Sequence, residues 1–96
     1  MEDYFNDTIH QLEDIVEKLH YEKRKEAYNA LNTVIDKLFL LFQDISTNEE
    51  KAKAIPDLNN QLGQCLDAME NQDDILMADI LEYEIIPRLL ELKNPE

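Results

Sequence analysis

The sequence predicts an all-α protein, an antiparallel, up-and-down bundle of four helices that forms one domain over residues 1–96. Apolar residues recur every three or four positions along most of the chain, which is the period of a helix packed on one face. The alternating pattern of a half-buried strand is absent. One glycine and three prolines are also too few for the tight turns of an all-β domain.

The first helix is predicted from about Asp3 to about His20. Its apolar seam has alternating spacings of four and three residues and consists of Phe5, Ile9, Leu12, Val16 and Leu19. Across residues 20–26 the apolar positions shift to a different side of the helix, and Tyr21 is the one large apolar side chain there. We expect a turn there, and one long helix that changes its contact face is the alternative.

The second helix is predicted from about Lys23 to about Ile45. Its apolar spine, Ala27, Leu31, Val34, Leu38, Leu41 and Ile45, is widened by Tyr28, Ile35, Phe39 and Phe42. This face covers nearly half of the circumference, which favours a central position in the bundle.

A polar break at residues 46–50 separates the two halves of the chain. Thr47, followed three residues later by Glu50, has the pattern of a capping box and predicts a short helical piece at residues 49–54. Pro56 suits the first turn of a third helix that ends near Asn71. One face of that helix carries the apolar residues Leu58, Leu62, Cys65, Leu66 and Met69. Gly63 lies within that helix, where a glycine costs on the order of 1 kcal/mol relative to alanine.

The fourth helix, residues 72–92, is the most apolar long segment and is apolar on two sides. Asp73 or Asp74 can cap its start. Pro87 predicts a kink near residues 84–87, or a short new helix that starts at Pro87, because the ring removes one backbone donor. At about 100° per residue, one face carries Leu76, Ile80, Tyr83 and Leu90, and the opposite face carries Ala78, Leu81, Ile85, Leu89 and Leu92.

A helix with two apolar faces is packed from both sides. One face meets the domain's own core, and the other needs further helices or a partner. The predicted partner-contacting residues are Ile80, Tyr83, Ile85, Leu89 and Leu90. The simplest partner is a second copy of the chain in a homodimer that salt strengthens, since a two-fold dimer needs one self-complementary patch. Alternatively, both faces are satisfied inside one bundle.

The charge balance restricts the partners. Acidic residues number 22 against 9 basic ones, for a formal charge of −13, so phosphate backbones of nucleic acids are repelled. The same charge is the sole support for a further hypothesis, an acidic protein that mimics nucleic acid. A single cysteine excludes an intramolecular disulfide, and the chain shows neither a signal-peptide pattern nor an apolar run long enough to span a membrane. We therefore expect a cytoplasmic protein without a membrane partner.

Four titratable residues, His10, Glu13, Glu17 and His20, share one stripe of the first helix. Glu-x-x-His pairs serve as metal ligands in helical bundles when two helices each carry one. Here a second pair is absent, because these are the only two histidines. The sequence therefore predicts neither a metal site nor a cofactor.

Two resemblances to known families follow from short motifs. Glu13-Asp14-x-x-Glu17 resembles the first carboxylate cluster of the all-α nucleotide pyrophosphohydrolases, which implies a Mg²⁺-dependent hydrolase as an alternative function. Those enzymes carry a second Glu-x-x-Asp one helix later, where this chain has Thr33-x-x-Asp36. The segment at residues 74–87, with its D-x-L-x-A-D-I-L-E-Y-E-x-x-P cadence, resembles small uncharacterised helical proteins of Firmicutes bacteria, which implies a helical fold and no activity.

These observations favour a non-enzymatic function. We expect an interaction module that presents an acidic, partly apolar helical surface to itself or to another protein. Bacterial export chaperones are similarly small, acidic and helical, and they offer an apolar groove to a partner helix.

Overall fold

The computed structural model describes residues 2–93 and confirms the all-α fold class, without a strand in that range. Three of the four helices are uninterrupted, and a short 3₁₀ turn precedes the third. The fourth consists of three consecutive helical segments, which we call together α4 (residues 74–93). The bounds are α1, Glu2–His20; α2, Arg24–Ser46; the 3₁₀ turn, Lys51–Ala54; α3, Ile55–Glu70; and α4, Asp74–Ile80, Leu81–Ile85 and Ile86–Lys93.

The helices form two antiparallel hairpins that pack side by side. In each hairpin the two helices pack on one another, α2 on α1 and α4 on α3, and the hairpins meet mainly where α1 contacts α4. Every helix contributes fully buried side chains to one core. Its largest members are Leu12, Ile15, Leu31, Leu38, Leu41, Leu58, Met77, Leu81, Ile85 and Leu89. The predicted seams of the first three helices are therefore the ones that pack.

The predicted turn after α1 is present, and an equivalent turn follows α3. Each places one residue in the left-handed region, Glu22 with φ 61° and Gln72 with φ 57°. The next N–H in each case donates to a carbonyl five residues back, Lys23 to Lys18 and Asp73 to Ala68, both at 2.8 Å. Both are Schellman turns, in which these bonds satisfy the last carbonyls of the helix.

Arg24, Tyr28 and Asp74 join the two turns. The Arg24 Nε donates to one oxygen of the Asp74 carboxylate at 2.8 Å, and the Tyr28 hydroxyl donates to the other at 2.6 Å. Burial, together with the hydrogen bond to Asp74, raises the pKa of Tyr28 to about 12. Burial alone would raise the pKa of Asp74, but the bonds from Tyr28 and Arg24 outweigh it and hold that pKa below its usual value. The start of α4 is thereby fixed against α2.

At the other end of the bundle, the predicted capping box is wrong. The Thr47 hydroxyl donates back to the carbonyl of Asp44 at 2.7 Å, so it belongs to the end of α2. The side-chain oxygen of Asn48 instead accepts from the N–H groups of Glu50 and Lys51, at 3.0 and 3.1 Å. An Asn side chain fills this role as well as Thr does. The helical piece consequently begins at Lys51, two residues later than predicted.

Pro87 disturbs α4 as predicted, but the disturbance is a widened turn. The Ile86 N–H donates to the carbonyl of Leu81, five residues back, and Leu81–Ile85 forms one π-helical turn. Pro87 has no N–H for a normal bond to the preceding turn, and its ring crowds that turn. The wider turn precedes it, and the helix then continues to Lys93. Of the two predicted caps, Asp73 is the one that accepts from the Leu76 N–H, at 3.2 Å.

The expectation that α2 is the most central helix is wrong. Phe39, predicted on the wide apolar face, is 49% exposed. The reason is that α2 packs chiefly on α1 and only to a small extent on α3, so part of its wide apolar face lies at the surface. Phe39 also contacts Phe42 edge to face, with ring centroids 6.4 Å apart.

Candidate functional site: the outer face of the fourth helix

The inner face of α4 lies in the core. Ala78, Leu81, Ile85 and Leu89 are buried, and Leu92 is partly buried. The burial of Ile85 and Leu89 is complete within the chain itself, so these two predicted partner-contacting residues are not on a surface that a partner can reach. Sequence spacing identified this face correctly but could not show which helices cover it.

The opposite face of α4 remains largely uncovered. Leu76, Tyr83 and Leu90 are 45%, 68% and 41% exposed, and they recur every seven residues along the helix. We call these three residues the outer stripe. Ile80, predicted on the same face and as a partner contact, is buried. Tyr83 and Leu90 are thus the two predicted partner-contacting residues that lie at the surface.

Packing explains why the outer stripe is open. Within the described chain, α4 is covered by α1 on one side and by α3 on the other, and no further helix is present to cover the third side. Ile75, at the start of the helix, is also exposed. Exposed leucines scattered singly are common on protein surfaces, whereas a repeated line of them on one helix is a feature of contact surfaces.

Acidic residues flank the outer stripe on both sides. Asp79 and Glu82 lie on the flank toward α1, and Glu84 and Glu91 lie on the other flank. Arg88 is the basic residue there, and its guanidinium is placed 3.7 Å from Glu91 and 3.8 Å from Asp57 of α3. The surface around the stripe is therefore negative.

A shallow groove of about 370 Å³ runs between α3 and α4 beside the outer stripe. Its apolar lining consists of Ala68, Leu76 and Ile80, and polar side chains of both helices form its edges. Ala68 and Ile80 are themselves buried. Leu76 therefore belongs both to the stripe and to a depression in which an apolar side chain could be seated.

A second depression, a cleft of about 520 Å³, lies between α1 and α4. It brings together three of the four residues that the sequence placed on one stripe of α1, with two side chains of α4. Its lining is Glu13, Val16, Glu17 and His20 from α1, Tyr21 from the turn after α1, and Glu82 and Ile86 from α4. The His20 Nε2 lies 3.3 Å from the Glu82 carboxylate, across the cleft. The fourth residue of the stripe, His10, lines a different groove toward α2.

The residues of the hydrolase-like motif do not all line one site. Glu13 and Glu17 line the cleft toward α4, whereas Asp14 pairs with Lys18 and lines the groove toward α2 with Thr33. The Thr33 hydroxyl donates to the carbonyl of Asn29 at 3.0 Å, within α2. Within residues 2–93, no group of three His, Cys, Asp or Glu side chains is placed to hold a metal ion. None of the described helices is both long and apolar enough to cross a lipid bilayer.

Cys65 is on α3, and its side chain lies in the core of the bundle. Its side chain is fully buried, and burial raises the pKa of its thiol to about 12. A thiol at that pKa is almost entirely protonated at neutral pH, and the thiolate is the reactive form. Cys65 therefore acts as a packing residue.

Comparisons with known proteins identify a family and no activity. No curated protein matches the chain, and no solved structure matches it. A family model matches residues 1–94, almost the whole sequence, and its description is "Domain of unknown function (DUF8042)". The chain belongs to this family, DUF8042.

Proposed function

We propose that the protein is a non-enzymatic interaction module that binds an amphipathic helix of another protein on the outer stripe of α4. The observation that carries the proposal is the exposure of Leu76, Tyr83 and Leu90 at a seven-residue repeat. On a regular α-helix this repeat forms a nearly straight apolar seam, and such seams pack against a second helix at a small crossing angle. The π-helical turn at Leu81–Ile85 lies within the stripe and offsets its two ends around the helix, so a partner helix would have to follow that offset.

The size of the surface also supports a helical partner. Residues 76 to 90 span about 21 Å at 1.5 Å per residue, so about four turns of a partner helix would follow the stripe from end to end. Recognition of an amphipathic helix by an apolar groove depends on anchors at such spacings. The groove beside Leu76 offers a place for one anchor side chain. The partner therefore needs its own apolar seam.

The charge around the stripe favours a basic partner over a second copy of the chain. Residues that flank a helix–helix seam set the choice of partner through their charges. A homodimer through the outer stripe would bring Asp79, Glu82, Glu84 and Glu91 of two copies near each other. A partner helix with Lys or Arg at its flanking positions would instead meet opposite charge. This assignment makes the protein an adaptor or a chaperone-like holder of a basic segment, in a reducing, cytoplasmic setting.

The test is affinity capture from the cells that make the protein, with two double variants of equal charge change. Tyr83→Glu with Leu90→Glu alters the outer stripe, and Phe39→Glu with Leu40→Glu alters the exposed residues of α2. We expect one protein with a basic amphipathic segment to be captured by the wild type and the α2 variant and to be lost from the stripe variant. Equal capture by all three forms would contradict the proposal.

Salt separates the two kinds of partner. A complex with a basic helix weakens as salt rises, because screening removes attraction between opposite charges. A homodimer through the acidic stripe strengthens, because the same screening removes repulsion. Sedimentation of the purified chain at low and at moderate salt distinguishes these cases. We expect a monomer in both, and a dimer that salt favours would make a second copy the partner.

A further inference from the structure

We propose that the cleft between α1 and α4 binds an arginine side chain of the partner helix. The inference rests on the proposed function for the source of the arginine, whereas the fit of the cleft to a guanidinium group depends on the cleft alone. Glu82 lines the cleft and also flanks the outer stripe, so a basic residue at the edge of a docked helix would lie beside the cleft opening.

The floor of the cleft is apolar. Val16 of α1 and Ile86 of α4 line it, and each is 93–94% covered by the protein, with 7% and 6% of its surface exposed. A long basic side chain covers such a surface with its methylene groups while its charged head stays at a polar edge. A compact hydrated cation would leave this floor wet. The cleft therefore suits an alkyl chain that ends in a cation.

The walls of the cleft carry negative charge. Glu13 and Glu17 stand on successive turns of α1, and Glu82 faces them from α4. Within the described residues, no Lys or Arg forms an ion pair with these three carboxylates, and Glu82 contacts His20. Lys18 and Lys23 line the adjoining depression on the other side of Glu17 and Tyr21, so the negative charge is strongest on the side of Glu13 and Glu82. Anionic guests are repelled, and the absence of a three-ligand group in the described chain gives a single metal ion no site there. The complementary guest is an organic cation.

Tyr21 favours arginine over lysine. Its ring lies at the rim of the cleft and is largely exposed, so one face is open to a guest. A planar guanidinium stacks on an aromatic face and donates two parallel hydrogen bonds to a carboxylate, whereas an ammonium acts as a compact, strongly hydrated charge. In the cleft, a guanidinium can stack on the ring of Tyr21 and donate hydrogen bonds to the carboxylate of Glu17.

The experiment uses N-butylguanidinium as the probe and its neutral isostere N-butylurea as the matched control, with the ¹⁵N-labelled full chain observed by NMR. We expect saturable shifts with N-butylguanidinium at the residues that line the cleft, and none with N-butylurea. The shifts should shrink as salt rises from about 20 mM to about 300 mM. Equal shifts with both probes, shifts confined to other surfaces, or no saturable shift would overturn the inference.

A pair of charge-matched variants tests the walls. Glu17→Gln with Glu82→Gln should weaken N-butylguanidinium binding roughly tenfold, because two solvent-facing charge contacts are lost. Glu49→Gln with Glu70→Gln makes the same change of net charge at exposed positions away from the cleft and should leave binding unchanged. Equal weakening in both variants would mean that the overall charge, and not the cleft, attracts the probe.

The two proposals can fail separately. If the stripe variant loses its captured partner while N-butylguanidinium does not bind, the cleft inference fails and the proposed function stands. If N-butylguanidinium binds in the cleft while capture is the same for all stripe forms, the proposed function fails and the arginine belongs to a different ligand.

Discussion

Leu89 and Leu90 are adjacent leucines on opposite sides of α4. Leu89 is completely buried between the helices, and Leu90 is 41% exposed on the outer stripe. The first is explained by the fold of this chain, because it fills the shared core. The second gains little from the fold, and under the proposed function its side chain contacts a partner. The comparison separates residues that α4 uses to fold from residues that it offers to a partner.

The largest effect expected from this comparison is on stability. Leu89→Ala should lower the free energy of unfolding by about 2 to 5 kcal/mol, because it removes buried methyl groups and leaves a cavity. Leu90→Ala should lower it by less than about 1 kcal/mol, because that side chain is already partly in water. Urea unfolding followed by circular dichroism measures both. A loss at Leu90 as large as that at Leu89 would mean that the two faces of α4 are not distinct in the folded chain.

A smaller effect on stability is expected at Asp74, whose hydrogen bonds fix the start of α4 against α2. Asp74→Asn should destabilise the fold by about 1 to 2 kcal/mol at neutral pH, because the charged acceptor of Arg24 and Tyr28 is lost. The Asp74 pKa is lowered by folding, so the stability it contributes is fully present above its unfolded pKa of about 4 and disappears as pH falls through the lowered value. The difference between wild type and variant should therefore be constant from about pH 7 to pH 5 and shrink in stronger acid.

Asp36→Asn is the control for net charge, since Asp36 is exposed on α2. It should change stability little or raise it, because it relieves repulsion in an acidic chain. Two results would contradict a stabilising role for the hydrogen bonds that Arg24 and Tyr28 donate to Asp74. One is an equal loss of stability in both variants, and the other is a stability difference between wild type and Asp74→Asn that grows as pH falls.

The smallest expected effect on stability is at Gly63, where the outer and inner positions of α3 can be compared in the same way. Gly63 is exposed, and a Cβ built there meets no atom within 4 Å, whereas Cys65, two residues later, is buried. Gly63→Ala should raise the free energy of unfolding by about 0.5 to 1 kcal/mol, through the better helix propensity of alanine. Thermal unfolding of the variant beside the wild type measures the gain. Destabilisation would show that something contacts the outer side of α3 at Gly63.

Much of the fold could be predicted because its determinants are local. The seams of α1, α2 and α3, and the disturbance at Pro87, follow from residues within a few positions of one another. The two Schellman turns were harder to predict, since Glu22 and Gln72 occupy left-handed positions where glycine would have been a signal. Asn48 was overlooked as a cap because the neighbouring Thr47 has the better-known pattern.

The candidate site could be predicted only in part, because its geometry depends on distant contacts. Helical periodicity identified both apolar faces of α4. It could not show that α3 packs beside Ile80 and buries it. It also could not show the π turn before Pro87, which changes the helical phase near Ile85. The cleft joins His20 to Glu82 across 62 residues of sequence. No local pattern predicts such a pair.

The most direct test of the central claim is photo-crosslinking at Tyr83. Benzoylphenylalanine is placed at position 83 or, as the matched control, at position 39, where Phe39 is also an exposed aromatic residue on a helix. We predict an adduct with a second, basic protein from position 83 and none from position 39. An adduct twice the 11.3 kDa mass of the chain would identify a second copy as the partner instead. Adducts from position 39 alone, or from neither position, would contradict the claim that the outer stripe of α4 is the binding surface.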